Sequence, residues 1–373
     1  MNFKFSEEQK LFLDKVSQIA KKDVAPMAAQ TDKEARFPKE VIEKLAHEGI
    51  MGIPFDKKYG GLGMNNETYA AAVEELSKVC ASTGVIMSAH TSLCAWPIAT
   101  YGNESQKEKY LVPLATGKKI GAFGWTEAEA GTRTTAIKEG KNYILNGKKV
   151  LITNSHEAEI FVVFAKTDFE KNTLTAFILE KGTEGFSVGE AEDKMGVRGS
   201  STAELHFNNC IIPEENILGN IGEGLKVAMT TLNGGRIGVA AQAVGIAQGA
   251  LDAAIDYVKS RMQMGQPISH HQNIQFTIAD LQTKIDAARL MVQRAANAKD
   301  ANEDYGYMAS MAKLFASEVA METTTKAVQL FGGNGYSKKF PVERMMRDAK
   351  ITEIYEGTSE VQKVVIAGHM NIK

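Results

Sequence analysis

The chain has 373 residues, 44% of them hydrophobic and 24% charged, with 45 acidic against 43 basic side chains and a formal net charge of −2. That length exceeds one ordinary domain and fits two or three. The balance excludes disorder or a coiled coil over the whole chain, and the near-neutral charge gives no global electrostatic case for nucleic acid or an anionic membrane.

The first region reads as helical. Ser6-Glu7-Glu8-Gln9 has the pattern of a capping box, followed by Leu11, Phe12, Val16 and Ile19 at helical spacing. Phe37-Pro38-Lys39-Glu40 predicts a second start with proline in the first turn. Tyr69–Val79 and Ser105–Leu114 are further predicted helices, and Gly60-Gly61-Leu62-Gly63 predicts a sharp turn. The opening MNFKFSEEQK lacks the basic start and apolar core of a signal peptide, so a reducing cytoplasm is the expected compartment. Cys80, Cys94 and Cys210 form no CxxC and predict buried small side chains rather than a disulfide framework or zinc site.

From about Ile120 the period becomes that of strands. Tyr143-Ile144-Leu145 and Lys149–Thr153 flank Asn146-Gly147, which predicts a hairpin because both turn residues tolerate positive φ. Ile160–Ala165, Leu174–Leu179 and Ala203–Phe207 are further predicted strands. From about Gly224 long helices return. Gly238, Ala241, Gly245 and Gly249 recur on successive turns, which predicts close helix packing. The most apolar stretch, Gly238–Ile255, is interrupted by Gln242, Gln248 and Asp252, so a buried helix is expected and no membrane insertion. The expected fold is α+β and multidomain: an N-terminal helical domain (1–119), a central β-barrel or sandwich (120–223) and a C-terminal helical bundle (224–373).

Common catalytic motifs are missing. There is no GxxxxGK[ST], GxSxG or HExxH, and Gly332-Gly333-Asn334-Gly335 follows a helical run rather than a strand. His270-His271 has no carboxylate or cysteine nearby at ligand spacing, so no metal is expected. Chemistry here needs a carboxylate, a cofactor, or both. The C-terminal block offers the carboxylate. A charged helix should end near Ile354, Gly357 breaks it, and Ser359-Glu360-Val361-Gln362 reads as the capping box of the next helix. Glu356 is thereby expected on a short loop held at both ends. The same pattern also suits an ordinary solvated surface glutamate.

Ile354-Tyr355-Glu356-Gly357-Thr358-Ser359-Glu360 resembles the catalytic-loop signature of the acyl-CoA dehydrogenase family. The likeness extends along the chain in the family's order. Trp125-Thr126-Glu127 with Ala130-Gly131-Thr132 resembles its LTEPxAGS/T loop, and Leu151-Ile152-Thr153-Asn154 its WITN strand. Asp193-Lys194-Met195-Gly196 with Arg198-Gly199-Ser200 resembles DKxGxRxS. Arg261-Met262-Gln263-Met264-Gly265-Gln266-Pro267-Ile268 resembles RxQFGxPI, and Gln329–Tyr336 resembles QxxGGxGY. Within the family the pattern most resembles the bacterial short-chain, butyryl-CoA type.

The resemblance implies a C-terminal four-helix bundle and FAD-dependent α,β-dehydrogenation of a short-chain acyl-CoA. Glu356 would take the α-proton, flavin the β-hydride, and an electron-transferring flavoprotein the electrons. It places Trp125, Thr126, Ile152 and Thr153 at the flavin ring, with Thr358 and Glu360 reaching it from the catalytic loop. Arg261, Gln263, Met264, Gln329, Gly332 and Gly333 would hold the remainder of an FAD shared between subunits, in a homotetramer. Thr132, Asn233, Arg236, Tyr355 and Gly357 would meet the substrate. Some family members carry the base in the segment matching Leu232–Arg236; here that position is Gly235, which does no acid–base work. The chain departs from the family pattern at Ala128, Arg133, Leu151, Asn233 and Met264. Two other readings are an oxidase of the same fold that passes electrons to oxygen and a homologue that has lost flavin.

Overall fold

The computed structural model describes residues 4–129 and 131–372, so Ala130 of the loop motif lies outside the described residues. Helix α1 runs over 7–34 as Glu7–Ile19, a π-helical stretch Ala20–Val24, and Ala25–Glu34. The predicted capping box is present: Ser6 Oγ accepts from the Gln9 N–H, and Gln9 Oε1 accepts from the Ser6 N–H. Pro38 is the N-cap of α2 (Lys39–His47), one position before the predicted first turn. Then come α3 (Asn66–Ser77), α4 over 81–101 with a π-helical stretch Ala89–Ala95, and α5 over 104–115. The Gly60–Gly63 turn needs its glycines: Gly60 and Gly63 have φ of 83° and 66°, and a Cβ on Gly61 would sit 2.2 Å from the Phe55 carbonyl oxygen.

The middle region is an eight-stranded mixed sheet: β1 (Ile120–Gly124), β2 (Thr135–Glu139), β3 (Asn142–Thr153), β4 (Ala158–Asp168), β5 (Thr173–Glu180), β6 (Phe186–Ala191), β7 (Thr202–Pro213) and β8 (Ile217–Leu218). The order is β6-β7-β3-β2-β4-β5-β8, with β1 parallel to β4. Strand β4 is buried on both faces. Ile160, Val162 and Phe164 pack toward α4 and α5, while Phe161, Val163 and Ala165 fill the interior of the β domain. An unbroken apolar run follows from that double burial.

The expected hairpin at Asn146-Gly147 is not formed. β3 runs straight through both residues, and the turn of this hairpin is Gly140-Lys141, with Glu139 paired to Asn142 and Gly140 at φ 60°. Asn146-Gly147 instead marks a register shift against β7. The Asn146 side chain accepts from the Asn209 N–H at 2.8 Å, and a Cβ on Gly147 would lie 2.7 Å from Thr134 Cα. The permissive dipeptide serves a bulge and a close strand approach rather than a reversal.

The C-terminal bundle is built from α6 (Gly224–Ser260), a small hairpin of β9 (Met262–Gln263) and β10 (Gln266–Pro267), α7 (Gln272–Asp300), α8 (Gly306–Phe331), α9 (Val342–Lys350) and α10 (Ser359–His369). The small residues of α6 do what their spacing predicts. A Cβ on Gly245 would lie 2.4 Å from the Glu74 carbonyl oxygen, and one on Gly249 2.0 Å from that of Lys78, so the backbones of α3 and α6 touch. Helix α6 is long and apolar enough to cross a membrane, but 83% of its most apolar window is buried within the protein. The N-cap of α10 is Thr358, whose side chain accepts from the Val361 N–H, and not the expected Ser359. Gln362, expected to complete the capping box, reaches back to the loop carbonyls instead. All three cysteines are free and buried, as expected.

Candidate functional site

Glu356 lies on the loop between α9 and α10, in left-handed backbone with φ 53°, and Gly357 follows at 93°. Two consecutive positive-φ residues turn the chain sharply enough to aim the glutamate side chain inward. Its Oε2 is sealed from solvent and has no hydrogen-bond partner. The space it occupies exists because residue 235 is glycine: a Cβ there would stand 3.1 Å from Glu356 Oε2 and 2.7 Å from Leu93. Burial raises the carboxyl to about 7, against the opposing pull of Arg236 and Lys313.

The neighbours of this carboxyl are fixed. Arg236 is 6% exposed, and its Nη1 donates to Asn233 Oδ1 at 2.8 Å and Ser310 Oγ at 3.2 Å. Burial lowers its pKa and Glu356 opposes the shift. Tyr355 donates its hydroxyl to Gln242 Oε1. Gly357 and Thr358 continue the turn into α10, and Glu360 is exposed in its first turn. Asn233 thus positions Arg236. Arg236 sits behind the carboxylate as a buried cation.

The second group of expected residues lies on the β domain. Ile152 is buried, and Ile152 and Thr153 pair with Ala203 and Thr202 of β7. The Thr126 carbonyl accepts from the Val150 N–H at 2.9 Å, and the Trp125 ring packs edge-on against Phe164 at 5.2 Å. Trp125 borders the same apolar cluster as Leu93, and Leu93 lies against Gly235. Glu127 ties the segment down. It accepts from Lys149 Nζ at 2.6 Å, from the Arg133 N–H at 2.7 Å and from the Thr134 N–H at 3.2 Å. Thr132 is half-buried within that loop, and the Arg133 guanidinium is turned outward onto Glu129 at 2.5 Å. Leu151 is largely exposed on strained backbone, φ 57°.

Arg261, Gln263, Gln329, Gly332 and Gly333 come together elsewhere, with Tyr257 and Asn334, around a cavity of about 330 Å³. None of the Glu356 loop or β-domain residues lines it. A Cβ at Gly332 or Gly333 would meet nothing within 4 Å, so the backbone there is open to a ligand. Met264 is not part of the cavity. It sits at the tip of the β9–β10 hairpin at φ 49°, 95% exposed.

Sequence reasoning assigned no role to Lys313, and read Lys149 only as a strand residue and Gln362 only as part of a capping box; their partners are Gly357, Glu127 and the Glu356 and Gly357 carbonyls. Each acts on a partner far along the chain or across a helix turn. The one local signal was a lysine embedded in the apolar and small-residue run Ala309–Ala316. Lys149 carried none.

Comparison with known proteins agrees along the whole chain. The models of the acyl-CoA dehydrogenase N-terminal, middle and C-terminal domains match residues 6–118, 122–210 and 222–371. The chain is 54% identical to the short-chain specific acyl-CoA dehydrogenase of Clostridium acetobutylicum, over 99% of both proteins. Butyryl-CoA dehydrogenase from Megasphaera elsdenii superposes with a TM-score of 0.97 at 48% identity, covering 100% of both chains. A chain from work on the electron transferring flavoprotein of Acidaminococcus fermentans and flavin-based electron bifurcation superposes with a TM-score of 0.98 at 51% identity, covering 99% of both. Domain by domain and over its full length, the chain belongs to the acyl-CoA dehydrogenase family.

Proposed function

We propose that this protein is a short-chain acyl-CoA dehydrogenase that uses FAD, takes the substrate α-proton on Glu356 and delivers electrons to an electron-transferring flavoprotein. The observation that carries the reading is Glu356 Oε2, sealed from solvent and without a hydrogen-bond partner, a setting in which burial pushes the carboxyl up to about 7. A general base works best when its pKa lies near the operating pH. A thioester α-proton is only weakly acidic, so the developing enolate also needs a donor at its oxygen. The Glu356 N–H has no acceptor among the described residues and suits that task. No side chain accepts hydride; bound FAD supplies that chemistry.

The residues present fit such a cofactor. Gly332 and Gly333 leave open backbone at the cavity that Arg261, Gln263 and Gln329 line, and a guanidinium beside accessible N–H groups suits a diphosphate. The Trp125-Thr126 and Ile152-Thr153 segments would offer the ring a face, and Thr358 and Glu360 would reach it from the Glu356 loop. The diphosphate cavity shares no lining residue with that face. We therefore assign its Arg261, Gln329 and Gly333 to the FAD of a neighbouring subunit, within a homotetramer. Met264, at an exposed hairpin tip, would meet a neighbour's FAD from the same side. Thr132, Tyr355 and Gly357 lie on the two loops that would flank the thioester. A cytoplasmic site of action belongs to the same reading, since three buried free cysteines suit a reducing compartment.

The experiment is a visible spectrum of the purified protein before and after butyryl-CoA. A flavin band released by acid and bleached by the thioester is expected, with the electrons passing to an electron-transferring flavoprotein faster than to oxygen. Protein that stays colourless after incubation with FAD would remove the reading; rapid oxygen consumption would replace it with an oxidase.

A further inference from the structure

Helix α8 buries a face of small side chains: Ala309, Ser310, Ala312, Ala316, Ser317 and Ala320. Lys313 stands among them and is fully buried. A buried ammonium is costly unless it is hydrogen-bonded or paired, so its position has a physical cause. Its Nζ donates to the Gly357 carbonyl at 2.8 Å. The same carbonyl accepts from Gln362 Nε2 at 2.8 Å, and that amide also donates to the Glu356 carbonyl at 3.2 Å. The two donors therefore grip the two positive-φ residues of the loop. For Glu356, a side chain that gains nothing from left-handed backbone, the strain is about 1–2 kcal/mol and must be held by such contacts.

We propose, resting on Glu356 as the base, that Lys313 is a positioning residue for the reaction: it locks the Glu356-Gly357 turn through the Gly357 carbonyl and holds its ammonium charge at the loop that carries the carboxyl.

The charged groups around it are few. Glu356 is faced by Arg236 from α6 and Lys313 from α8, with the hydroxyls of Tyr69 from α3 and Tyr355 from its own loop. Lys313 feels Glu356, Arg236, Glu353 of the turn before the loop, and Glu360 of α10. Arg236 is committed to Asn233 and Ser310. Lys313 is thus the cation bonded to the loop itself, and burial holds it at about 8, still mostly charged at neutral pH. Removing it takes away one of the two charges that favour ionised Glu356, so the carboxyl should titrate higher.

The test is the rate of flavin reduction by butyryl-CoA across pH in K313M and K313R holoenzymes, with E356Q as control. K313M is expected to move the rising limb up by about one pH unit, a roughly five- to tenfold loss of rate near pH 7 that shrinks at higher pH. K313R, which keeps charge and donor, should return the midpoint close to wild type. A K313M midpoint that superimposes on wild type, or K313R shifted as far as K313M, overturns the proposal. If K313M yields no holoenzyme, K313Q takes its place with the same two outcomes. E356Q that still bleaches at the wild-type rate instead removes the base assignment; E356Q inactive with K313M unshifted removes Lys313 alone.

Discussion

Two carboxylates with oxygens turned into the protein meet opposite fates. Glu127 on the β domain has a 7% exposed side chain, touches Lys149 directly and takes two backbone N–H bonds. Burial pushes it upward, but those donors outweigh burial and hold it below the usual carboxylate range. Glu356 is sealed at Oε2 with no bonded partner, its nearest cations bonded to other groups. Burial dominates there, and the carboxyl rises to about 7. The difference teaches that burial alone does not make a base. A base arises where a carboxylate oxygen is buried and the neighbouring cations are hydrogen-bonded to other groups.

The largest test of that contrast is E356Q. Glutamine keeps the shape and removes the base, so substrate-driven flavin bleaching should fall by about 10²–10⁴ while flavin content stays near wild type. Bleaching at close to the wild-type rate would mean that another group takes the proton. In the wild type, bleaching should speed up as pH rises through about 7, because only ionised Glu356 accepts a proton.

Next in size is K149M. It strands Glu127 without its cation in a site where Lys149 has no exposed surface. Removing one member of a buried pair typically costs about 3–5 kcal/mol. A marked drop in thermal unfolding temperature is expected, with the loop 125–134 more open to proteolysis. A drop no larger than that of a surface lysine variant would mean that the pair contributes little and that Glu127 is held by backbone donors alone.

How much of this contrast could be read from the chain differs between its two halves. The Glu356 loop was legible because its determinants are contiguous: the helix end, Gly357 and the next helix start lie within seven residues. The α6 glycines were legible because close packing leaves a periodic trace. The β domain was less so. Asn146-Gly147 satisfies a hairpin and a bulge equally, and only the register against β7, some sixty residues away, decides between them. Lys149 reads like any strand lysine, since its partner Glu127 lies 22 residues earlier. Ser359 and Thr358 are both competent caps, and adjacent hydroxyl residues carry no local signal that decides between them.

A smaller effect separates the two carboxylates in stability. The folded Glu356 carboxyl sits at about 7 against 4.5 for an ordinary glutamate, so the folded state keeps its proton where the unfolded chain has lost it. That contribution is complete below pH 4.5 and is lost as pH rises through about 7. E356Q should therefore be more stable than wild type above pH 7, by on the order of 1–3 kcal/mol, and the gain should vanish in acid. Unfolding temperatures measured across pH decide this. A constant difference between the two proteins would show that the carboxyl is not strained by burial.

The smallest effects concern the acyl group, which we propose lies along the buried Thr83–Ser92 segment of α4, on the side where Leu93 and Gly235 pack beside Glu356. The packing along that side is tight. One turn beyond Gly235, a Cβ on Gly238 would lie 2.2 Å from Ser88 Oγ and 2.8 Å from the Tyr69 hydroxyl, and that hydroxyl is hydrogen-bonded to Ser88 Oγ at 3.0 Å. Three residues of helix advance only about 4.5 Å, a few methylenes of depth. Each buried methylene contributes about 0.8 kcal/mol while space lasts and is penalised once it runs out. The α4 wall has no cation, since Thr83–Ser92 is buried and contains no lysine or arginine, and Arg236 of α6 is committed to Asn233 and Ser310. A distal carboxylate would find no cation there, and an unpaired buried charge is costly. kcat/KM should therefore peak between butyryl- and hexanoyl-CoA, fall for decanoyl-CoA and be near nil for glutaryl-CoA. Met87, fully buried in the same segment, is the side chain with the flexibility to admit the longer of the favoured chains. A preference for decanoyl- or glutaryl-CoA in a chain-length series would show that the acyl group does not lie against the Tyr69–Ser88 floor, while leaving the contrast between Glu127 and Glu356 untouched.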